Sequence, residues 1–221
     1  MNAKRLRALI ELGETDTIEF KRKFSGFEKI AKEMIALANT RGGYLIVGID
    51  DDGTIVGVDS EKSEIDLITS SAEFYSEPPI EHEIDIVDIE GYDVIVVRIP
   101  ESRTKPHKLI YSPSESSAAT RDPRDTRVYI RQGEKSVMAS REVARVLAAT
   151  QPDAPPLVLQ IGDIERTLFS HLEKNERITL REFRHLVNIS ERRASRSLVR
   201  LVRAGLIRIF TGHGEDYYTL T

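Results

Sequence analysis

Ala38-Asn39-Thr40-Arg41-Gly42-Gly43-Tyr44-Leu45-Ile46-Val47-Gly48-Ile49-Asp50-Asp51 decides the fold of the first part of the chain. Upstream of it Phe27, Ile30, Ala31, Met34, Ile35 and Ala38 recur at helical spacing, which predicts a helix over 27–38 with one apolar face. Asn39 to Gly43 stops that helix, and Gly42 or Gly43 is expected to supply the left-handed residue of a C-cap. The run 44–49 is continuously apolar and rich in β-branched residues, the pattern of a central strand covered on both faces. Asp50-Asp51-Asp52-Gly53 then closes it with turn chemistry.

Working outward, 3–12 reads as a short helix with Leu6, Leu9 and Ile10 on one side. Residues 17–21 alternate, Ile18 and Phe20 against Thr17, Glu19 and Lys21, which predicts a half-buried strand. A short strand over 54–58 follows the Asp52-Gly53 turn, and a helix over 60–75 is stopped at Glu77-Pro78-Pro79. Strands over 80–89 and 92–99 flank the Glu90-Gly91 turn, and 108–111 and 127–131 are further strand candidates. Between these last two, 112–126 lacks periodicity and reads as a long surface loop. A helix over 140–149 ends this part, giving a mixed α/β domain over 1–150.

Residues 151–156, Gln-Pro-Asp-Ala-Pro-Pro, form a stiff Pro-rich linker. After it the pattern turns helical: 157–172, then 180–187 opened by the capping box Thr179…Glu182, then 190–204 capped by Ser190 and ended by Gly205. Strands over 206–210 and 217–220 make a hairpin around Gly212-His213-Gly214. Helix, helix, recognition helix and β-wing is the order of a winged helix-turn-helix domain, and 157–221 resembles that family.

The two parts differ in charge. Residues 157–221 hold 11 Lys and Arg against 8 Asp and Glu, a net of +3, while the remainder of the chain carries −7. A basic tail on an acidic body points to nucleic acid. No stretch approaches the roughly 18 apolar residues of a membrane span, and the charged start, Met-Asn-Ala-Lys-Arg-Leu-Arg, lacks an export signal. The chain has no cysteine, which excludes disulfides and thiolate metal sites and fits a reducing cytoplasm.

Shortly before the opening stretch stands Glu14-Thr-Asp-Thr-Ile-Glu19-Phe20-Lys21-Arg22. With Ala-Asn-Thr-x-Gly-Gly, the Gly-Ile-Asp-Asp strand end, Lys105-Pro106-His107 and Ile130-Arg131-Gln132-Gly133, the chain resembles the Schlafen AlbA-like domain family over about residues 3–150. The resemblance implies nucleic-acid binding. It also implies a second role, because eukaryotic Schlafen proteins include metal-dependent ribonucleases that use three carboxylates. These fall here on Glu14, Glu19 and Asp51 as catalytic residues, with Asp50 beside them as a further ligand for Mg²⁺ or Mn²⁺, hard ions that oxygen ligands hold. Lys21, Arg41 and Arg131 are the candidate backbone-binding cations of this domain. The eukaryotic enzymes pair two such lobes and carry a cysteine zinc site. One lobe and no cysteine stand here, so a homodimer is the expected way to supply the second lobe. Related proteins have been labelled divergent ATPases, but the chain has no Gly-x₄-Gly-Lys-Ser/Thr loop to cradle phosphates.

In the tail, Ala194, Leu198, Leu201 and Val202 form the core face of the third helix, and Arg192, Arg196, Arg200 and Arg203 form another. Arg193 and Ser195 lie beside them near its start, the part of a recognition helix that meets base edges. His213 at the wing tip is an exposed turn residue in reach of a minor groove. The expected function is DNA or RNA binding, foremost as a DNA-binding transcriptional regulator, with the three-carboxylate ribonuclease second and a protein-assembly module third.

Overall fold

The computed structural model describes residues 1–110, 126–151, 156–212 and 215–221. The 112–126 loop up to residue 125, most of the Pro-rich linker and His213 therefore lie outside the described residues. The chain divides into two compact units, Met1–Met138 and Ala139–Thr221.

The first unit is a mixed α/β layer structure. A four-stranded sheet has the order β1 (Ile18–Lys21), β2 (Gly42–Val47), β5 (Tyr92–Pro100), β4 (Glu83–Ile89). β1 runs parallel to β2, and the other pairs are antiparallel. Helix α1 (Ala3–Leu12) covers one face, packing Leu6 with Phe20, Ile46, Val94 and Val96. Helices α2 (Phe27–Asn39) and α3 (Glu61–Phe74) belong to the other face, where Ile30, Met34, Ile35 and Ile68 meet Leu45, Val47, Ile95 and Val97. Successive side chains of β2 and β5 thus enter different cores, which is why both strands read as unbroken apolar runs. The described residues of the unit also form two small antiparallel pairs: β3 (Ser76–Glu77) with β6 (Lys108–Leu109), and β7 (Tyr129–Gln132) with β8 (Lys135–Met138).

Several local expectations change. Helix α2 ends at Thr40 with φ −102°, and Gly42 and Gly43 belong to β2 rather than to a C-cap. Their positive φ values, 70° and 150°, serve close approach instead. A Cβ on Gly43 would lie 2.2 Å from the Thr17 carbonyl oxygen, and one on Gly42 would lie 2.5 Å from Glu101 N. The expected 54–58 strand reduces to one bridge, Ile49 to Ile55. The strand expected over 80–89 begins at Glu83, and Ile86 remains 44% exposed on it. β8 was not anticipated, because Lys-Ser-Val-Met carries no alternation of its own.

In the second unit, α4 (Arg141–Ala149) packs against α7 (Glu191–Arg203). Helices α5 (Asp163–Asn175) and α6 (Leu180–Leu186) share a core with α7 built on Leu168, Leu172, Phe183, Ala194, Leu198 and Leu201. A three-stranded antiparallel sheet in the order β10 (Ile207–Phe210), β11 (Tyr217–Leu220), β9 (Ile178–Thr179) adds Ile178, Ile207 and Tyr218 to that core. Helix α5 starts at Asp163, not at 157, because Glu165 reaches back to accept from Gly162 N at 3.0 Å and sets the first turn there.

Candidate functional site

The opening motif turns out to be a set of fasteners. Asn39 Nδ2 donates to the carbonyls of His107 (3.0 Å) and Tyr129 (2.9 Å), and its Oδ1 accepts from His107 N (2.8 Å). Thr40 Oγ1 donates to Ala36 O and accepts from Arg131 N, each at 2.8 Å. Ala38 O accepts from Ser102 N. The polar end of α2 therefore holds β7 and the 102–107 segment, and it satisfies carbonyls that a helix terminus leaves open. His107 is buried, its ring bonded to Pro78 O and Ser102 Oγ at 2.7 Å each, and burial holds its pKa below the ordinary value.

The sequence-predicted carboxylates fall beside these fasteners. Glu19 sits on β1 and is almost fully buried. Its Oε1 accepts from Lys21 Nζ and its Oε2 from Arg131 Nη1, both at 2.5 Å. The Arg131 side chain is fully buried and also donates to Thr15 O (2.6 Å) and Ser136 Oγ (3.2 Å), with Glu33 Oε2 at 3.6 Å. Ser136 in turn donates to Glu33. The face of β1 expected to be half-open is thus closed by an ion network spanning β1, α2, β7 and β8. Sequence periodicity missed it because Glu19 and Arg131 are far apart in the chain and each looks like a solvated charge. Arg131 is a buried positioning residue and cannot reach a nucleic-acid backbone. Lys21 is partly exposed. Burial pulls its pKa down, but the bond and charge of Glu19 outweigh this and leave it raised.

Glu14 Oε1 accepts from Phe20 N at 2.9 Å. Burial raises its pKa above the ordinary 4.5, the Phe20 bond pulls it back, and the charges of Glu19 and Asp51 push it up further. Glu33 is raised too, by burial first, against its bond from Ser136. Asp50 accepts from Arg22 Nη1 at 3.1 Å, and Asp51 is exposed. Arg41 is paired with Asp16 at 3.0 Å on the surface.

The predicted carboxylates Glu14, Glu19, Asp50 and Asp51 do not form a ligand set for a metal ion. Both oxygens of Glu19 are engaged by cations, and among the described residues no three His, Cys, Asp or Glu side chains come together to hold one. The raised carboxyls have a different consequence. A glutamate whose folded pKa lies above its unfolded value contributes stability that is full below pH ~4.5 and is lost as pH rises through the folded value. Glu14→Gln keeps the acceptor for Phe20 N and removes the titration. It should shrink the fall in stability between acidic and neutral pH, read as urea midpoints over a pH series. A variant slope equal to that of the parent would mean Glu14 is not responsible.

On α7 the predicted residues separate. Ala194, Leu198 and Leu201 face the core, while Arg192, Arg193, Arg196 and Arg200 are exposed. Ser195 is buried, because Arg145 Nη1 from α4 donates to its Oγ at 2.6 Å. The serine is therefore covered by α4 and not open to a base edge. Arg145, which sequence reading passed over, joins Arg193, Arg196, Val199 and Arg200 around an open groove of about 500 Å³. Arg200 keeps a loose pair with Glu165 at 3.9 Å. Four guanidinium groups around one groove make an anion-attracting surface, with forks suited to phosphates and to guanine edges. Among the described residues no helix is long and apolar enough to cross a membrane.

The first unit is thus a mixed α/β domain whose helix–strand junction is fastened by Asn, Thr and paired glycines, and the second is a small helical unit with a basic helix face. Residues 14–140 match the model of the family described as Schlafen, AlbA_2, and the chain belongs to that family. Two solved structures are similar. One is the N-terminal domain of a putative ATP-dependent DNA helicase RecG-related protein from Nitrosomonas europaea, 24% identical, matched over 48% of this chain and 80% of that one, with a TM-score of 0.41. The other is the DIP2311 protein from Corynebacterium diphtheriae, 16% identical, matched over 91% of this chain and 37% of that one, with a TM-score of 0.47. No curated protein matches the chain.

Proposed function

We propose that the second unit is a winged helix that binds duplex DNA through α7, and that the protein is a DNA-binding transcriptional regulator. The observation that carries this is the exposed arginine face of α7, set opposite its core face and joined by Arg145 around one groove. Family membership over residues 14–140 supports a nucleic-acid role. The three-helix core with β10 and β11 as hairpin agrees with the element order of a winged helix, whose recognition helix enters the major groove. The three-carboxylate ribonuclease reading has less support, since Glu19 is spent on Arg131 and Lys21. The regulator is taken as a homodimer. In the first unit β5 is internal and, among the described residues, β4 is an edge strand of the sheet, so a second copy would pair with β4 on that side.

The test is the double variant Arg192→Ala/Arg196→Ala against duplexes selected from a random library. Each lost phosphate contact should lower the slope of log affinity against log salt by about 1, and each lost base contact should cost about 1–3 kcal/mol of discrimination. Palindromic selected sites, with half-sites about one helical turn apart, are expected from a dimer. Unchanged affinity and salt slope would end the α7 reading, and single half-sites would end the dimer.

A further inference from the structure

The second unit carries another unusual surface, on the side of its sheet away from the core. Strand register fixes which residues share that face. Ile209 pairs with Tyr218 and Tyr218 with Ile178, and Tyr218 and Ile178 are fully buried, so this row points inward. Alternation then turns the neighbouring rows outward. One is Phe210, Tyr217 and Thr179, and the next is Arg208 and Thr219. Arg177, two residues before Thr179, lies on the same side, its guanidinium 5.5 Å from the Tyr217 ring centroid.

The outer row is a stack. Phe210 and Tyr217 lie 5.3 Å apart between centroids with their planes 12° from parallel, and Phe210 is 41% exposed. Beside Tyr217 is an open hollow of about 590 Å³, bordered by His171, Asn175, Arg177 and Thr179. That volume lies within the range of about 300–1,000 Å³ usual for ligand sites.

We propose that this sheet face is a stacking platform for an unpaired base of single-stranded nucleic acid, separate from the α7 groove. Aromatic rings and a guanidinium plane offer π faces to any base, and flanking arginines attract the strand that carries it. Two carboxylates, Glu182 and Glu215, also border the hollow. Glu182 is occupied in the α6 cap, accepting from Thr179 N at 2.8 Å, and that bond foremost holds its pKa below the ordinary value. Negative charge there disfavours a phosphate inside the hollow. A neutral base stacks on the exposed Phe210 ring, and the sugar–phosphate strand passes over Arg177 and Arg208. The rows set two aromatic rings beside an arginine and two threonines, so stacking surface and positive charge stand together, as a strand of bases and phosphates requires. The inference goes beyond the duplex reading and does not need α7.

Labelled oligothymidylate, oligouridylate and a random-sequence duplex serve as probes for the full chain, read by fluorescence anisotropy at fixed salt. Phe210→Ala should weaken both single strands about 5- to 150-fold, the effect of losing one stacked base, and leave the duplex unchanged. Phe210→Leu, which keeps apolar bulk without a ring, should be nearly as weak, and Phe210→Tyr should bind as the parent does. Arg192→Ala/Arg196→Ala should do the reverse, weakening the duplex more than the single strands. Loss on only one of the two oligonucleotides supports the platform and says whether it takes DNA or RNA. Full single-strand affinity in Phe210→Leu overturns it, as does parent protein that binds duplex alone. A dimer in light scattering that Phe210→Ala dissolves would give the face to a second copy instead. Single-strand binding that depends on Phe210 without any duplex binding would overturn the α7 reading and leave the platform standing.

Discussion

Arg131→Met should destabilise the first unit by about 3 kcal/mol, the low end of the ~3–5 kcal/mol range for breaking a buried ion pair from one side. The guanidinium is fully buried and bonds Glu19, Ser136 and the Thr15 carbonyl, with Glu33 within 3.6 Å. Its removal leaves the buried Glu19 carboxylate without this cation and next to the part-buried Glu33. Lys21 still holds one oxygen of Glu19, which is why the low end is expected. The paired variant Glu19→Leu/Arg131→Met removes the stranded charge together with its partner, so it should recover part of the loss. Urea denaturation followed by circular dichroism measures both. A single variant within about 1 kcal/mol of the parent, or a double variant that loses the sum of two singles, would show that the network contributes nothing beyond its parts.

Much of this architecture could be read from residue order. Helix α2, β2 and β5 follow from apolar periodicity and run length, and Ser190 and Thr179 each cap the helix that their position predicts. Periodicity reports a local face and nothing about what covers it. That is why Glu19 looked solvated until Arg131 closed over it, and why Ser195 looked open until Arg145 did. The short strands β8 and β9 were not legible for the same reason. Their conformation is imposed by the partner strands β7 and β11 rather than by their own residues. Asn39 and Thr40 end the helix where the sequence places its stop, but their bonds to His107, Tyr129 and Arg131 exist only once distant segments arrive.

The other large effect is expected at Gly43. In Gly43→Ala the new Cβ would stand 2.2 Å from the Thr17 carbonyl oxygen, 2.8 Å from its carbon and 2.9 Å from its Cα, at φ 150°. All three atoms are backbone, so no rotamer change relieves the contact. Backbone strain and overpacking each cost about 1–3 kcal/mol, so a loss of about 4 kcal/mol is expected. Gly91→Ala is the control: its φ is 86°, but nothing lies within 4 Å of the added Cβ, so it should lose only the ~1–2 kcal/mol of a left-handed residue. The Gly43 clash acts on Thr17, whose carbonyl accepts from Tyr44 N at 2.8 Å just where β1 begins to pair with β2. Relief requires β1 to move away from β2, and Glu19 moves with it, off the fixed guanidinium of Arg131. Gly43→Ala and Arg131→Met therefore damage one element from two ends, and their losses should fall short of additive by about 1 kcal/mol or more in a double-mutant cycle. Strict additivity would mean that the glycine pair and the buried Glu19–Arg131 bond are independent features, and that close strand approach does not set the position of Glu19.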